Sequence, residues 1–122
     1  MQDFKKLRVW SESVELAARI YSLTSLSSAE RYGLTAQMRS AVISISSNVA
    51  EGSGRMAPAD KARFLQMAIG SASELESQLL VADRLTLIPD HDGILDHVDK
   101  VRRQLIRLKA NVERKAMPAL EL

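Results

Sequence analysis

The sequence predicts an all-α protein that folds as an antiparallel up-down four-helix bundle. Long stretches rich in Ala, Leu, Ser, Arg and Glu run without Gly or Pro, and aromatic residues make up only 4% of the 122 residues. This composition favours helices and leaves a sheet short of the residues that it prefers. Four segments place apolar residues three and four positions apart, which is typical of helices that bury one face. Four such helices with short connections bury these faces most simply as a bundle.

The first helix is predicted from an apolar stripe near the start of the chain. The stripe consists of Leu7, Trp10, Val14, Ala17 and Tyr21. We expect Trp10, the only tryptophan, to lie in the core beside Val14. Its partner on the fourth helix is then Leu105 or Leu108. The Ser-x-x-Glu spacing of Ser27 and Glu30 predicts a capping box after this helix.

Three further stripes predict the other helices. The second consists of Leu34, Met38, Ala41, Ile45 and Asn48. The third consists of Leu65, Ala68, Ala72, Leu75, Leu79 and Ala82. The fourth consists of Ile94, Val98, Val101, Leu105, Leu108 and Val112. Pro58 suits the first turn of the third helix, where its missing N–H would have no partner. We expect one domain over residues 1–115 and a loose C-terminal tail over residues 116–122.

Composition excludes several classes of protein. The chain has no cysteine, which rules out disulfides, thiolate metal sites and cysteine nucleophiles, and we expect a cytoplasmic protein. No apolar run approaches the roughly 20 residues that span a bilayer. His91 and His97 lack the spacing of a metal site, and we expect both at the surface. We expect no metal, no cofactor and no enzymatic activity.

The second and third helices carry too few charges for surface helices. Residues 32–50 contain a single charge, Arg39. A single core cannot cover both sides of such a helix, so the pattern predicts self-association through the backs of these two helices. The alternative is that short Ser and Ala side chains simply face water. The predicted interface residues are Ala36, Ile43, Ala50 and Met67.

Two polar residues near the end of the second helix call for partners. Asn48 occupies a position in the apolar stripe, and Glu51 brings a negative charge to the end of a helix where the dipole disfavours it. Arg55 and Arg39 are the nearest cations that could meet this carboxylate. We assign both Asn48 and Glu51 a structural role.

Basic residues are concentrated in the fourth helix. Between residues 94 and 115 there are seven basic and three acidic residues, a net charge of +4. Four of these cations fall on one outward face and form a basic ridge, which we define as Lys100, Arg103, Arg107 and Arg114. A ridge of this kind suits phosphate contacts with RNA or DNA. The alternative is a solvated face whose cations complement the helix C-terminus.

Four segments resemble the family of 23S rRNA intervening sequence proteins. They are residues 4–10 (FKKLRVW), 30–39 (ERYGLTAQMR), 44–55 (SISSNVAEGSGR) and 64–75 (FLQMAIGSASEL). The resemblance covers about residues 4 to 88, in order. It implies an up-down bundle that assembles as a homopentamer. Relatives that act as accessory proteins of diversity-generating retroelements engage nucleic acid and a reverse transcriptase, which implies a partner of that kind.

Together these observations predict a non-enzymatic, oligomeric helical protein that binds RNA or DNA by charge and shape. The competing hypothesis is a protein–protein interaction scaffold with no nucleic-acid role. An unrecognised enzyme ranks third.

Overall fold

The described part of the chain forms four α-helices. The computed structural model describes residues 3–25, 33–88 and 93–116. A short 3-10 turn, Phe4–Lys6, precedes α1 (Arg8–Ser25), α2 (Leu34–Ser53), α3 (Pro58–Arg84) and α4 (Ile94–Lys115). Within the three described ranges there is no strand, so the predicted all-α class is confirmed. The predicted capping box, His91 and all but the first residue of the predicted tail lie outside these ranges.

The four helices enclose one shared core. Each helix packs against the next along the chain, and α1 also packs against α4. All six residues of the predicted α3 stripe are buried. In α4 the first four stripe residues are buried, while Leu108 and Val112 are half-buried against the core. The α2 stripe is buried through Met38, Ala41 and Ile45.

The stripe predicted for α1 is wrong at two of its five positions, Val14 and Tyr21, which are each 41% exposed. Ala17 is buried, and Leu7 and Trp10 are partly buried against the core. The predicted place of Trp10 beside a buried Val14 is therefore wrong. Trp10 is half-buried and meets the Phe4 ring edge-on, with 5.1 Å between the ring centroids. The buried face of α1 instead consists of Val9, Ser13, Leu16, Ala17, Ile20 and Thr24.

Two hydroxyl residues explain this difference. Ser13 Oγ donates to the Trp10 carbonyl at 2.7 Å, and Thr24 Oγ1 donates to the Ile20 carbonyl at 2.7 Å. A buried hydroxyl costs little once it is hydrogen-bonded. Because each donor is satisfied within its own helix, these two polar positions can face the core.

Arg39 joins the end of α1 to α2. Its Nε donates to Thr24 Oγ1 at 2.8 Å, and one terminal nitrogen donates to the Tyr21 carbonyl at 3.3 Å. The guanidinium also lies 4.5 Å from the centroid of the Tyr21 ring. A cation at the C-terminal end of a helix is favoured by the helix dipole. The one charge in residues 32–50 therefore stabilises the neighbouring helix.

Candidate nucleic-acid interface

The basic ridge lies on the exposed side of α4. The core-facing side of α4 is formed by Val98, Val101 and Leu105. The opposite side of the same helix therefore faces outward. Lys100, Arg103, Arg107 and Arg114 are accordingly all exposed.

Two of the four ridge cations are paired with carboxylates. Lys100 Nζ lies 3.3 Å from Glu12 of α1, and Arg103 Nε lies 3.0 Å from Asp99 one turn earlier in α4. Arg114 donates to the side-chain oxygen of Asn111, which is neutral. Arg107 has no carboxylate partner among the described residues. Free positive charge is therefore concentrated in the C-terminal half of α4.

Arg102 does not belong to the free charge of α4. It is 19% exposed and bridges Glu76 of α3, at 2.5 Å, and Asp99, at 2.9 Å. The hydrogen bond that Arg102 donates to Glu76 is the main cause of the raised pKa of this guanidinium. Burial opposes the increase, and the hydrogen bond that Arg102 donates to Asp99 adds to it. Arg102 thus ties α3 to α4 and cannot readily leave for a ligand.

A cleft that the sequence did not reveal opens beside the ridge. It has a volume of about 210 Å³ and lies between the first turn of α1 and the C-terminal half of α4. Its walls include apolar Leu7 and Leu108 and polar Arg8, Gln104, Arg107 and Asn111. Arg8 stands about 100 positions before Arg107, so no local spacing could have brought the two together.

His97 is not a surface residue, so that prediction is wrong. Its side chain is only 10% exposed, and it lies between two residues of α1. Arg19 approaches Nδ1 at 3.0 Å and Glu12 approaches Nε2 at 3.1 Å. The two contacts place the imidazole between the Arg19 guanidinium and the Glu12 carboxylate, with Nε2 facing Glu12. The ring therefore links α1 to α4.

The Glu12 carboxylate receives hydrogen bonds from both His97 and Lys100. Partial burial acts to raise the pKa of Glu12, but the hydrogen bonds and positive charge of Lys100, together with His97, outweigh it and hold the pKa below its ordinary value. The charged carboxylate is thus favoured in the native state.

The four residues predicted for a subunit interface lie on the outer faces of α2 and α3. Ala36, Ile43 and Met67 are exposed, and Ala50 is half-buried. In α3, Gly70 is exposed, and a Cβ added there would meet nothing within 4 Å. Ile43 and Met67 are 42% and 45% exposed, so much of their apolar surface faces outward in the single subunit.

Asn48 and Glu51 both lie near the C-terminal end of α2, Asn48 half-buried and Glu51 exposed. Asn48 Nδ2 donates to the Ser44 carbonyl at 2.8 Å and lies 3.0 Å from Ser44 Oγ. Ser44 Oγ in turn is 2.8 Å from Ser71 Oγ on α3. Glu51 is exposed and lies 3.7 Å from Arg55, one of its two expected partners. Asn48 thus belongs to a polar link between α2 and α3, whereas Glu51 forms a solvated ion pair.

An apolar patch on the last turns of α3 was missed by the sequence analysis. Leu80, Val81 and Leu85 are about half exposed, and they line a shallow groove with Ser73 and Ser77.

The described residues hold no group of three or more His, Cys, Asp or Glu side chains that could bind a metal ion. Nor is any helix among them long and apolar enough to cross a membrane.

Over the residues that the structure describes, the fold is all-α, with four helices around one core and a basic outer face on the fourth helix. The chain belongs to the 23S rRNA-intervening sequence protein family, which it matches over residues 5–107. The fold is similar to that of a solved protein of unknown function from the S23 ribosomal protein family of Bacteroides thetaiotaomicron. That similarity has a TM-score of 0.76 at 24% identity and covers 84% of this chain and 95% of the other. A comparison with curated proteins gives no match.

Proposed function

We propose that this chain is a non-enzymatic, oligomeric protein that binds RNA or DNA through charge and shape. The observation that carries the proposal is the basic ridge, in which Lys100, Arg103, Arg107 and Arg114 are exposed on one face of α4. A nucleic-acid backbone carries negative charge at short, regular intervals, and a row of cations on one helix complements it.

The oligomer is an assembly of antiparallel up-down bundles that meet through the outer faces of α2 and α3. Ile43 and Met67 supply exposed apolar surface, and Ala36 and Ala50 allow close approach. Gly70 supports this arrangement. A glycine inside a helix costs about 1 kcal/mol relative to alanine, yet no residue of the described chain needs the space. A second subunit packed there would need it.

We propose five subunits, the number that the family resemblance implies, because patterning alone does not set a number. Assembly would raise the affinity of the ridge for nucleic acid. Charge on one exposed helix acts over about 8 Å at physiological salt, so a single ridge binds weakly. Several ridges held at fixed spacing can contact one strand at once and raise the overall affinity.

Filter binding of RNA and of duplex DNA at low and at physiological salt tests the nucleic-acid role. Retention should fall steeply as salt rises, because binding to phosphates releases condensed counterions. No retention even at low salt would overturn the proposal.

Two variants separate assembly from binding. Ile43→Glu places a charge in the subunit interface without touching the core, so the mass from light scattering and the nucleic-acid affinity should fall together. Replacing both Arg103 and Arg107 by Glu should abolish binding and leave the mass unchanged. A wild-type protein that scatters as a 13.5 kDa monomer would contradict the assembly.

A protein–protein scaffold with no nucleic-acid role is the second candidate. The specific observation in its favour is the apolar patch of Leu80, Val81 and Leu85, because exposed apolar groups that cluster are typical of protein interaction sites. An assembled protein that retains neither RNA nor DNA would favour this candidate.

A further inference from the structure

The cleft beside the basic ridge contains two arginines of separate helices. Arg8 comes from the first turn of α1 and Arg107 from the C-terminal half of α4, and both line the same space of about 210 Å³. Neither arginine has a carboxylate partner among the described residues, whereas Lys100 and Arg103 of the ridge are paired with Glu12 and Asp99. Two like charges that share a cleft repel each other, and an anion between them would offset that repulsion.

The neighbouring residues are suited to an anion. The cleft contains no acidic wall residue, and the amide side chains of Gln104 and Asn111 line it. Asn111 also accepts a hydrogen bond from Arg114. The Arg114 guanidinium is therefore in contact with one of the residues that line the cleft. Guanidinium groups bind phosphate oxygens with two parallel hydrogen bonds, which a compact ammonium group cannot do.

The size and walls of the cleft limit what can enter it. Pockets for drug-sized ligands measure about 300–1,000 Å³, so this cleft takes a smaller group. Its walls include no aromatic side chain on which a base could stack. A phosphate group fits both limits, while the base and sugar of a nucleotide would remain outside.

We infer that the cleft holds one phosphate of a bound RNA or DNA strand, with Arg8 and Arg107 as its two donors. This inference rests on the proposed nucleic-acid binding and adds a specific contact to it. The strand then runs along the C-terminal half of α4 and crosses the start of α1. The paired residues Lys100 and Arg103 contribute less than the predicted ridge implied, because a ligand must first displace their carboxylates.

Replacing each arginine by glutamine tests the cleft. Fluorescence anisotropy of a labelled single-stranded RNA across a salt series gives the slope of log affinity against log salt. Each variant, Arg8→Gln or Arg107→Gln, should reduce that slope by about one for every subunit that contacts the strand. The double variant should reduce it further, but by no more than the sum of the two single effects.

Arg84→Gln is the matched control. Arg84 is exposed at the end of α3, whereas the start of α3 is the part that approaches Leu108 and Val112 of α4. The control therefore removes the same charge far from the cleft, and it should leave the slope near the wild-type value. Thermal melting should be similar for all variants, since Arg8 and Arg107 are exposed and unpaired within the described residues.

The outcomes distinguish this inference from the proposed function. A wild-type protein that binds no RNA or DNA at low salt would overturn both. A wild-type protein that binds, while Arg8→Gln keeps its slope and Arg107→Gln lowers it, would overturn the cleft alone and leave the ridge as the site. If both variants keep the wild-type slope, the cleft is overturned together with the place of Arg107 in the ridge. An equal loss in Arg84→Gln would likewise overturn the cleft, because net charge would then explain the effect.

Discussion

Gly52 and Phe64 are in such close contact that a Cβ on Gly52 would stand 2.9 Å from the Cβ of Phe64. The same Cβ would lie 3.4 Å from the carbonyl oxygen of Lys61. Gly52 lies in the last turn of α2 and Phe64 in the second turn of α3, so their separation sets how closely these helices pack. A methyl group at Gly52 has no space unless one helix shifts.

Gly52→Ala should therefore destabilise the protein, by about 1–3 kcal/mol, because the added methyl group overpacks the contact between α2 and α3. Chemical denaturation measures the free energy of unfolding. Gly70→Ala is the matched control, since its methyl group meets nothing within the subunit. Equal stability of Gly52→Ala and wild type would contradict the close packing. If Gly70 faces a second subunit, its variant should stay folded but lose mass in light scattering.

Asn48→Asp should lower the free energy of unfolding by about 1–3 kcal/mol. The Asn48 amide donates to the Ser44 carbonyl, and a carboxylate would place negative charge against that oxygen near the C-terminal end of α2. Asn48→Ala, which only deletes the hydrogen bond, should cost less. Unchanged melting of Asn48→Asp together with lost RNA binding would show that Asn48 is a binding residue.

Stability should decrease at acidic pH through Glu12. Its pKa is depressed in the folded protein, so its contribution is fully present above the ordinary value of 4.5 and is lost as the pH falls through the lower, folded-state value. Melting temperatures between pH 7 and pH 3 should show a smaller decline for Glu12→Gln than for wild type. Glu15→Gln removes an exposed carboxylate from the same helix and should retain the wild-type decline. Identical profiles for all three proteins would contradict the role of Glu12.

Trp10 should emit at a wavelength between those of buried and solvated tryptophan, because it is half-buried and partly covered by Phe4. Phe4→Ala should shift the emission to the red and increase quenching by iodide. Val14→Ala is a control, since Val14 is exposed. A fully blue-shifted emission that Phe4→Ala leaves unchanged would contradict this position of Trp10.

The sequence predicted the later helices better than the first, for a physical reason. The stripes of α3 and α4 repeat apolar residues at regular spacing, and Leu75, Leu79 and Leu105 lie in the core as expected. In α1 the large apolar side chains Val14 and Tyr21 suggested the wrong face. The correct face contains Ser13 and Thr24, whose hydroxyls are satisfied by their own helix, and spacing alone does not reveal such bonds.

The candidate site was only partly predictable for a related reason. Exposure of Arg107 follows from its position in a single helix, but its neighbour Arg8 comes from the opposite end of the chain. The place of His97 between Arg19 and Glu12 likewise depends on how α1 packs against α4. Contacts between residues so far apart in the sequence can be identified only from the three-dimensional structure.

The outer face of α2 combines Ala36, Ile43 and Ala50 with Ser40 and Ser47, and none of these side chains titrates or carries charge. Association through apolar and hydroxyl groups is not screened by ions, and some salts strengthen it. The phosphate contacts proposed for α4 respond in the opposite way, because salt weakens them. If both proposals hold, a rise in ionic strength should release nucleic acid and leave the assembly intact, so that salt alone frees the purified protein of bound polynucleotide.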